Sequence, residues 1–251
     1  MQPMRRACMT GARARLAGRR RRRTADVIAM QEAAYGYGSD PLLSGVTLDL
    51  APGSFHFLTG PSGAGKTTFL KLCYAELLPT GGQVSVLGQN TAQITRDRIA
   101  DLRARIGVVH QDCQFLDHLP TSENIALPLM VTGKAHPGQD ADLDELVTWV
   151  GLTARARALP PELSGGERQR AALARAVIMD PEIILADEPT GNVDWDMSLR
   201  LLQLLVELNR MGKTILVATH DLGLIRAAKS QTQARVLRIR DGQITAAGAD
   251  L

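Results

Sequence analysis

At 251 residues, with 45% apolar and 22% charged side chains, the chain can bury a substantial core and has the composition of an ordinary globular protein. No run approaches the roughly 18 uncharged apolar residues that a membrane span requires, so a membrane role must pass through a partner or a surface contact. The formal charge of +3 averages two unlike parts: nine of the 29 Lys/Arg fall within residues 1–25, which hold no acid, and the other 20 face 26 Asp/Glu, leaving the remainder at −6. The three cysteines, Cys8, Cys73 and Cys113, have neither metal-ligand spacing nor an even count, which suits a reduced, cytoplasmic setting.

The basic tail carries Arg5, Arg6, Arg13, Arg15 and the run Arg19-Arg20-Arg21-Arg22-Arg23, and its few apolar residues predict disorder. No apolar stretch follows the arginines, so it does not read as a secretory signal. An anionic lipid surface would attract it by about 1 kcal/mol per nearby basic residue, and nucleic acid would attract it by counterion release. From Asp26 onward the pattern becomes structured. Residues 27–30 and 46–50 read as strands around a Tyr/Gly-rich loop (Tyr35, Gly36, Tyr37, Gly38), and Pro52-Gly53 marks a turn. The strand 55–59 comes next, and Gly81-Gly82 reads as a further turn before the strand 84–87. Residues 95–105 have helical spacing, and 106–110 form an apolar strand. The proline-dotted stretch 112–165 predicts a small, mostly helical insert. A helix over 166–178, a strand over 183–186, a helix over 199–208, a strand over 214–218 and a hairpin turned by Asp241-Gly242 follow. Strands alternating with helices predict a layered α/β sheet.

Gly60-Pro61-Ser62-Gly63-Ala64-Gly65-Lys66-Thr67-Thr68 fits the phosphate-loop pattern G-x-x-x-x-G-K-[ST] and lies between a strand-like run and a helical one. Such a loop offers backbone N–H groups and a helix N-terminus to phosphate, and its glycines let the backbone approach where a Cβ would collide. Lys66 is placed to reach the β/γ-phosphates of ATP and Thr67 to ligate Mg²⁺. Asp187 and Glu188 end the strand 183–186, and ligands of open α/β sheets bind at the carboxyl ends of strands. An Asp there can hold Mg²⁺ and an adjacent Glu can activate water. A second glycine-rich turn opens the helix after it, Leu163-Ser164-Gly165-Gly166-Glu167-Arg168-Gln169-Arg170. Its helix start is a second candidate anion site, and Ser164 is equally able to serve as a simple N-cap.

That last stretch closely resembles the signature motif of ABC-type ATPases, and the other motifs of the family follow in order over about residues 26–248. The resemblance implies a P-loop NTPase of the ABC type, with a RecA-like core sheet, an antiparallel β subdomain and an inserted helical subdomain. It also implies a single domain over 26–251 and a head-to-tail homodimer formed on ATP, in which Ser164, Gly165 and Gly166 complete the partner's site. By the same resemblance Tyr35 stacks on adenine, with Tyr37 its close competitor. Gln111 is the glutamine that senses Mg²⁺ and couples to a membrane subunit, Asp194 is the aspartate of the loop after Glu188, and His220 contacts the γ-phosphate. Within the family the chain is most similar to the FtsE group, ATPase subunits of the bacterial cell-division FtsE–FtsX complex. Three stretches carry that similarity: Ser54 through Gly65, Ala186 through Asp194, and Glu123-Asn124-Ile125-Ala126-Leu127-Pro128-Leu129. An integral membrane permease-like partner resembling FtsX, contact with other cell-division proteins, and a place at the cytoplasmic face of the bacterial inner membrane follow from it. The tail, His110 and Trp195 depart from that group. An ATPase for lipoprotein release or macrolide export shares the same motifs. A soluble ABC ATPase acting on nucleic acid or ribosomes is disfavoured, because no second cassette, long coiled coil or zinc-type cysteine spacing is present, and no specific nucleic acid is expected.

Overall fold

The longest apolar runs become buried parallel strands at the centre of the molecule. The structure is a computed structural model and describes residues 26–38, 40–191 and 193–247. The arginine-rich tail expected to be disordered, with Cys8, and Asn192 lie outside those residues.

A six-stranded sheet runs in the order β10-β9-β3-β8-β7-β6. It comprises β3 (Phe55–Thr59), β6 (Ile106–Val109), β7 (Ile183–Asp187), β8 (Thr214–Ala218), β9 (Ala234–Arg240) and β10 (Gln243–Ala246). β3 pairs in parallel with β8 and β9, β7 pairs in parallel with β8 and β6, and only β10 is antiparallel to its neighbour. Every residue of β3, β7 and β8 is buried, as expected of parallel strands covered on both faces. Successive residues alternate between two cores. Ile183, Leu185, Leu216 and Ala218 face one cluster, and Ile184, Ala186, Ile215 and Val217 face the other.

A four-stranded antiparallel sheet, in the order β2-β1-β4-β5, contains β1 (Ile28–Tyr37), β2 (Asp40–Leu50), β4 (Gly81–Val86) and β5 (Gln89–Asn90). Here the structure differs from the sequence reading twice. Tyr35, Gly36 and Tyr37 are the end of β1, paired with Leu43, Pro41 and Asp40, where a loop was expected. Gly36 serves a close cross-strand approach, since a Cβ there would stand 2.5 Å from the Asp40 carbonyl oxygen. Likewise Gly81-Gly82 opens β4 where a turn was expected, and a Cβ on Gly82 would stand 2.1 Å from the Glu32 carbonyl oxygen. The irregular register between Gln31 and Ala34 creates that crowding.

Seven α-helices are described: α1 (Lys66–Cys73), α2 (Arg96–Arg103), α3 (Thr121–Val131), α4 (Gln139–Trp149), α5 (Gly165–Val177), α6 (Trp195–Arg210) and α7 (Leu222–Lys229). Phe69, Leu70 and Leu72 of α1 pack between the two sheets. α6 and α7 cover the opposite face of the large sheet with Leu201, Leu205, Leu224 and Ile225. A third core joins Ile125 of α3, Val147 of α4 and Ala171 and Ala174 of α5. Buried Asn124 pins α3 by bonding the Leu116 N–H at 2.8 Å and the carbonyls of Leu116, Leu119 and Pro120. No helix among the described residues is long and apolar enough to cross a membrane.

Candidate active site

The chain leaves β3 at Thr59 and turns through residues 60–65 into α1. Two glycines shape that turn. A Cβ on Gly60 would stand 2.4 Å from Ile239 Cγ2, and Gly65 adopts φ 99° at the helix N-cap, a left-handed conformation that glycine alone adopts readily. No side chain caps α1 and no acid occupies its first turn, so its leading N–H groups remain available to an anion. Lys66 folds back over the loop, donating from Nζ to the carbonyls of Gly60 at 3.0 Å and Pro61 at 3.2 Å.

The large sheet brings two more elements to this rim. Asp187 pairs with Ala218 across β7 and β8, and the ladder runs one residue further, with the Glu188 N–H on the Ala218 carbonyl at 2.9 Å. On the other side of β8, the Thr219 N–H bonds the Leu58 carbonyl at 3.0 Å. Glu188 therefore leaves β7, and His220 leaves β8, beside the phosphate loop. Glu188 Oε1 lies 3.0 Å from His220 Nδ1 and 3.7 Å from Lys66 Nζ. The Glu188 side chain is 13% exposed, whereas that of His220 is 73% exposed and open to a ligand.

Asp187 is buried at the end of β7. Burial pushes its carboxyl above the usual carboxylate range and the neighbouring Glu188 charge adds to this, while a hydrogen bond from Thr67 works the other way. A buried carboxylate that forms no salt bridge among the described residues, with a hydroxyl already on it, is a donor set suited to a hard divalent cation. The residues present thus fit Mg²⁺.

The remaining sequence-predicted residues lie around this centre. Gln111 follows β6 and is exposed, with its carbonyl 3.5 Å from Gln169 Nε2. Ser164 caps α5 in a reciprocal box: its Oγ accepts from the Glu167 N–H at 3.3 Å, and Glu167 Oε2 accepts from the Ser164 N–H at 2.8 Å. Hydrogen bonds onto its carboxylate hold Glu167 below the usual range, the Ser164 N–H contributing most, with the Ser164 hydroxyl and Arg155 adding to it. Gly166 makes room for Met197, whose Cε would be 2.4 Å from a Cβ there, and Met197 N–H bonds Asp194 Oδ1 at 2.9 Å. The Ser164 turn and the Asp194 cap of α6 are therefore packed together. No hydrogen bond or ion pair joins the Ser164 turn to the phosphate loop among the described residues. Tyr35 packs against the core and meets Tyr37 edge-on at 5.2 Å between centroids, and Tyr37 is the more open ring at 59% exposure. Sequence reasoning gave no role to Arg175, which binds the carbonyl of Gln114. Its signal was a charged residue amid the buried alanines Ala171, Ala172, Ala174 and Ala176.

Residues 43–191 match the family model described as ABC transporter. The chain is 43% identical over 195 residues to the cell division ATP-binding protein FtsE of Haemophilus influenzae, covering 77% of this chain and 88% of that one. It is 38% identical over 219 residues to FtsE of Bacillus subtilis, covering 87% and 94%. Among solved structures, the dimeric post-hydrolysis form of the ATP-binding cassette MJ0796 bound to ADP and Pi superposes with a TM-score of 0.77 at 32% identity, covering 86% of this chain and 96% of that one. The P-loop fold anticipated from the motifs is the fold of these cassettes. The chain belongs to the ABC transporter family and is an ATP-binding, ATP-hydrolysing member of it, similar over most of its length to FtsE.

Proposed function

We propose that two copies of the chain close head to tail around two ATP molecules and that this motion drives an integral membrane partner resembling FtsX in bacterial cell division. The observation that carries the reading is the convergence of Lys66, Glu188 and His220 on one rim. Identity to FtsE of 38–43% supports the cell-division role. Among the described residues no hydrogen bond or ion pair joins the Ser164 turn to the phosphate loop, which supports completion of each site by a second copy.

Lys66 exchanges the carbonyls of Gly60 and Pro61 for phosphate oxygens, which the backbone N–H groups of residues 60–68 also hold. Glu188 orients the attacking water and takes its proton as the γ-phosphorus–oxygen bond to ADP breaks, releasing phosphate. Such general-base help is worth roughly 10²–10⁴ in rate. With Nδ1 facing Glu188, the His220 ring has Nε2 left to meet a γ-phosphate oxygen. Thr67, Gln111 and Asp187 would hold Mg²⁺, which when bound offsets the charge on the β- and γ-oxygens. Ser164, Gly165 and Gly166 of the second copy cover the γ-phosphate, and Asp194 lies at the same seam. Tyr35 stacks on adenine, with the open ring of Tyr37 its alternative.

Residues 26–251 act as one ATPase domain, and the insert of about 112–165 meets the membrane partner at the cytoplasmic face. Exposed Leu116, Met130 and Val131 in the insert support that docking. The test is purification of the full chain from solubilised membranes with identification of the co-purifying protein. An FtsX-like permease is expected. A lipoprotein-release or macrolide-type permease would reassign the partner, and recovery of ribosomes or nucleic acid alone would overturn the membrane role.

A further inference from the structure

Residues 111–115 leave β6 without joining a helix or strand, and two of them, Cys113 and Gln114, have φ of 56° and 46°. Neither is glycine, so this conformation is sparsely populated and persists only where the surroundings enforce it. Besides the backbone bonds of Cys113 to His110 and of Gln114 to Asp112, one side chain binds both residues. Arg175, near the end of α5, donates from Nη1 to the Gln114 carbonyl at 2.8 Å and from Nη2 to the Cys113 carbonyl. Its Cζ lies over the Phe115 ring, 4.6 Å from the centroid. On the same helix Gln169 Nε2 approaches the Gln111 carbonyl at 3.5 Å, so α5 touches the segment along its length. Arg175 forms no salt bridge among the described residues. Both of its Nη atoms bond backbone oxygens, and its Cζ lies over one ring. A planar guanidinium can serve two adjacent carbonyls while stacking through its face, which an ammonium cannot do.

α5 is a rod of 13 residues that begins at the Ser164 turn. Its first turn therefore carries the group offered to a second copy's nucleotide, and its last turn grips the backbone beside Gln111. We propose that Arg175 is a positioning residue that locks the 111–115 segment to α5, so that Gln111 and the Ser164 turn move as one body when the site closes. This rests on the reading of Gln111 as a Mg²⁺ contact. Arg175 touches no nucleotide. Its loss leaves ATP capture by the Lys66 loop intact and slows the step that needs Gln111 in place.

The test is steady-state ATPase kinetics and thermal melting of the full chain carrying Arg175→Lys, Gln111→Ala, or both. Arg175→Lys is expected to keep the melting temperature and the KM for ATP while kcat falls about tenfold. Added to Gln111→Ala it is expected to do nothing further, because coupled positions are not additive. A normal kcat for Arg175→Lys, a full extra loss on top of Gln111→Ala, or an equal rise in KM would each overturn the proposal. If Arg175→Lys does not fold, Phe115→Leu replaces it, removing the stacked ring but not the fork, with a loss of about threefold and the same non-additivity expected. Normal turnover in Gln111→Ala removes the role of Gln111 and the lock together. Slow Gln111→Ala beside normal Arg175→Lys removes the lock alone.

Discussion

His220 Nδ1 stands 3.0 Å from Glu188 Oε1, and the pairing of β7 with β8 sets that distance. The Glu188 N–H is the last donor of the ladder, on the Ala218 carbonyl, and His220 comes two residues after Ala218. Glu188 holds this position at φ 44°, a conformation that costs a non-glycine residue about 1–3 kcal/mol. The same oxygen is approached by Lys66 to 3.7 Å, so one carboxylate faces a cation and an imidazole at once.

Glu188→Gln keeps the shape of the side chain and removes its basicity. It is expected to bind ATP normally, to turn it over at least ~100-fold more slowly, and to accumulate as a closed dimer with ATP and Mg²⁺. Phosphate release and light scattering read the two outcomes. Near-normal turnover would remove Glu188 from its assigned role.

Lys66→Ala deletes the ammonium that stands 3.7 Å from Glu188 Oε1 and bridges the Gly60 and Pro61 carbonyls. ATP affinity is expected to fall by at least ~100-fold, equivalent to about 2.7 kcal/mol. Calorimetric titration measures it, and unchanged affinity would count against the phosphate loop.

Gly60→Ala would place a Cβ 2.7 Å from the Ile239 carbonyl oxygen, a backbone atom that cannot rotate away. A loss of about 1–3 kcal/mol in urea denaturation is expected. Gly133→Asn is the control, at φ +64° with nothing within 4 Å of its Cβ position, and asparagine tolerates that conformation. Equal stability of both variants would show that the loop yields.

His56 lies within β3 with Nε2 2.9 Å from Ser54 Oγ and a buried Nδ1 that has no partner among the described residues. Burial, helped by the nearby Arg235 charge, lowers its pKa from 6.5 to about 4. The unfolded chain therefore takes up this proton at higher pH than the folded one. The stability contribution is complete above pH 6.5 and declines as pH falls from there through 4, by about 3 kcal/mol in all. His56→Leu is expected to flatten the pH dependence of the denaturation midpoint across that window, and an unaltered slope would assign the titration to another group.

The phosphate loop, β7 and β8 were legible because their causes are local: glycines where a Cβ collides, and unbroken apolar runs where both faces are covered. The ends of β1 and β4 were not. Gly36 and Gly82 read as turn formers, yet both serve contacts with a neighbouring strand that only pairing creates. α7 was not read as a helix, and α6 begins at Trp195 rather than near 199, its start set by the Asp194 cap. The grip of Arg175 on Cys113 and Gln114 joins residues about sixty positions apart, so the buried alanines around Arg175 flag the residue but not its partners.

The ladder between β7 and β8 also acts as a ruler. Side chains along a strand alternate sides at every step, so one residue inserted into either strand would turn the carboxylate and the imidazole away from each other while leaving both in the chain. The exposed stretch 132–138 between α3 and α4 has no such register to keep. Length should therefore vary freely there and hardly at all between Ile183 and His220, except in the turns that join the elements.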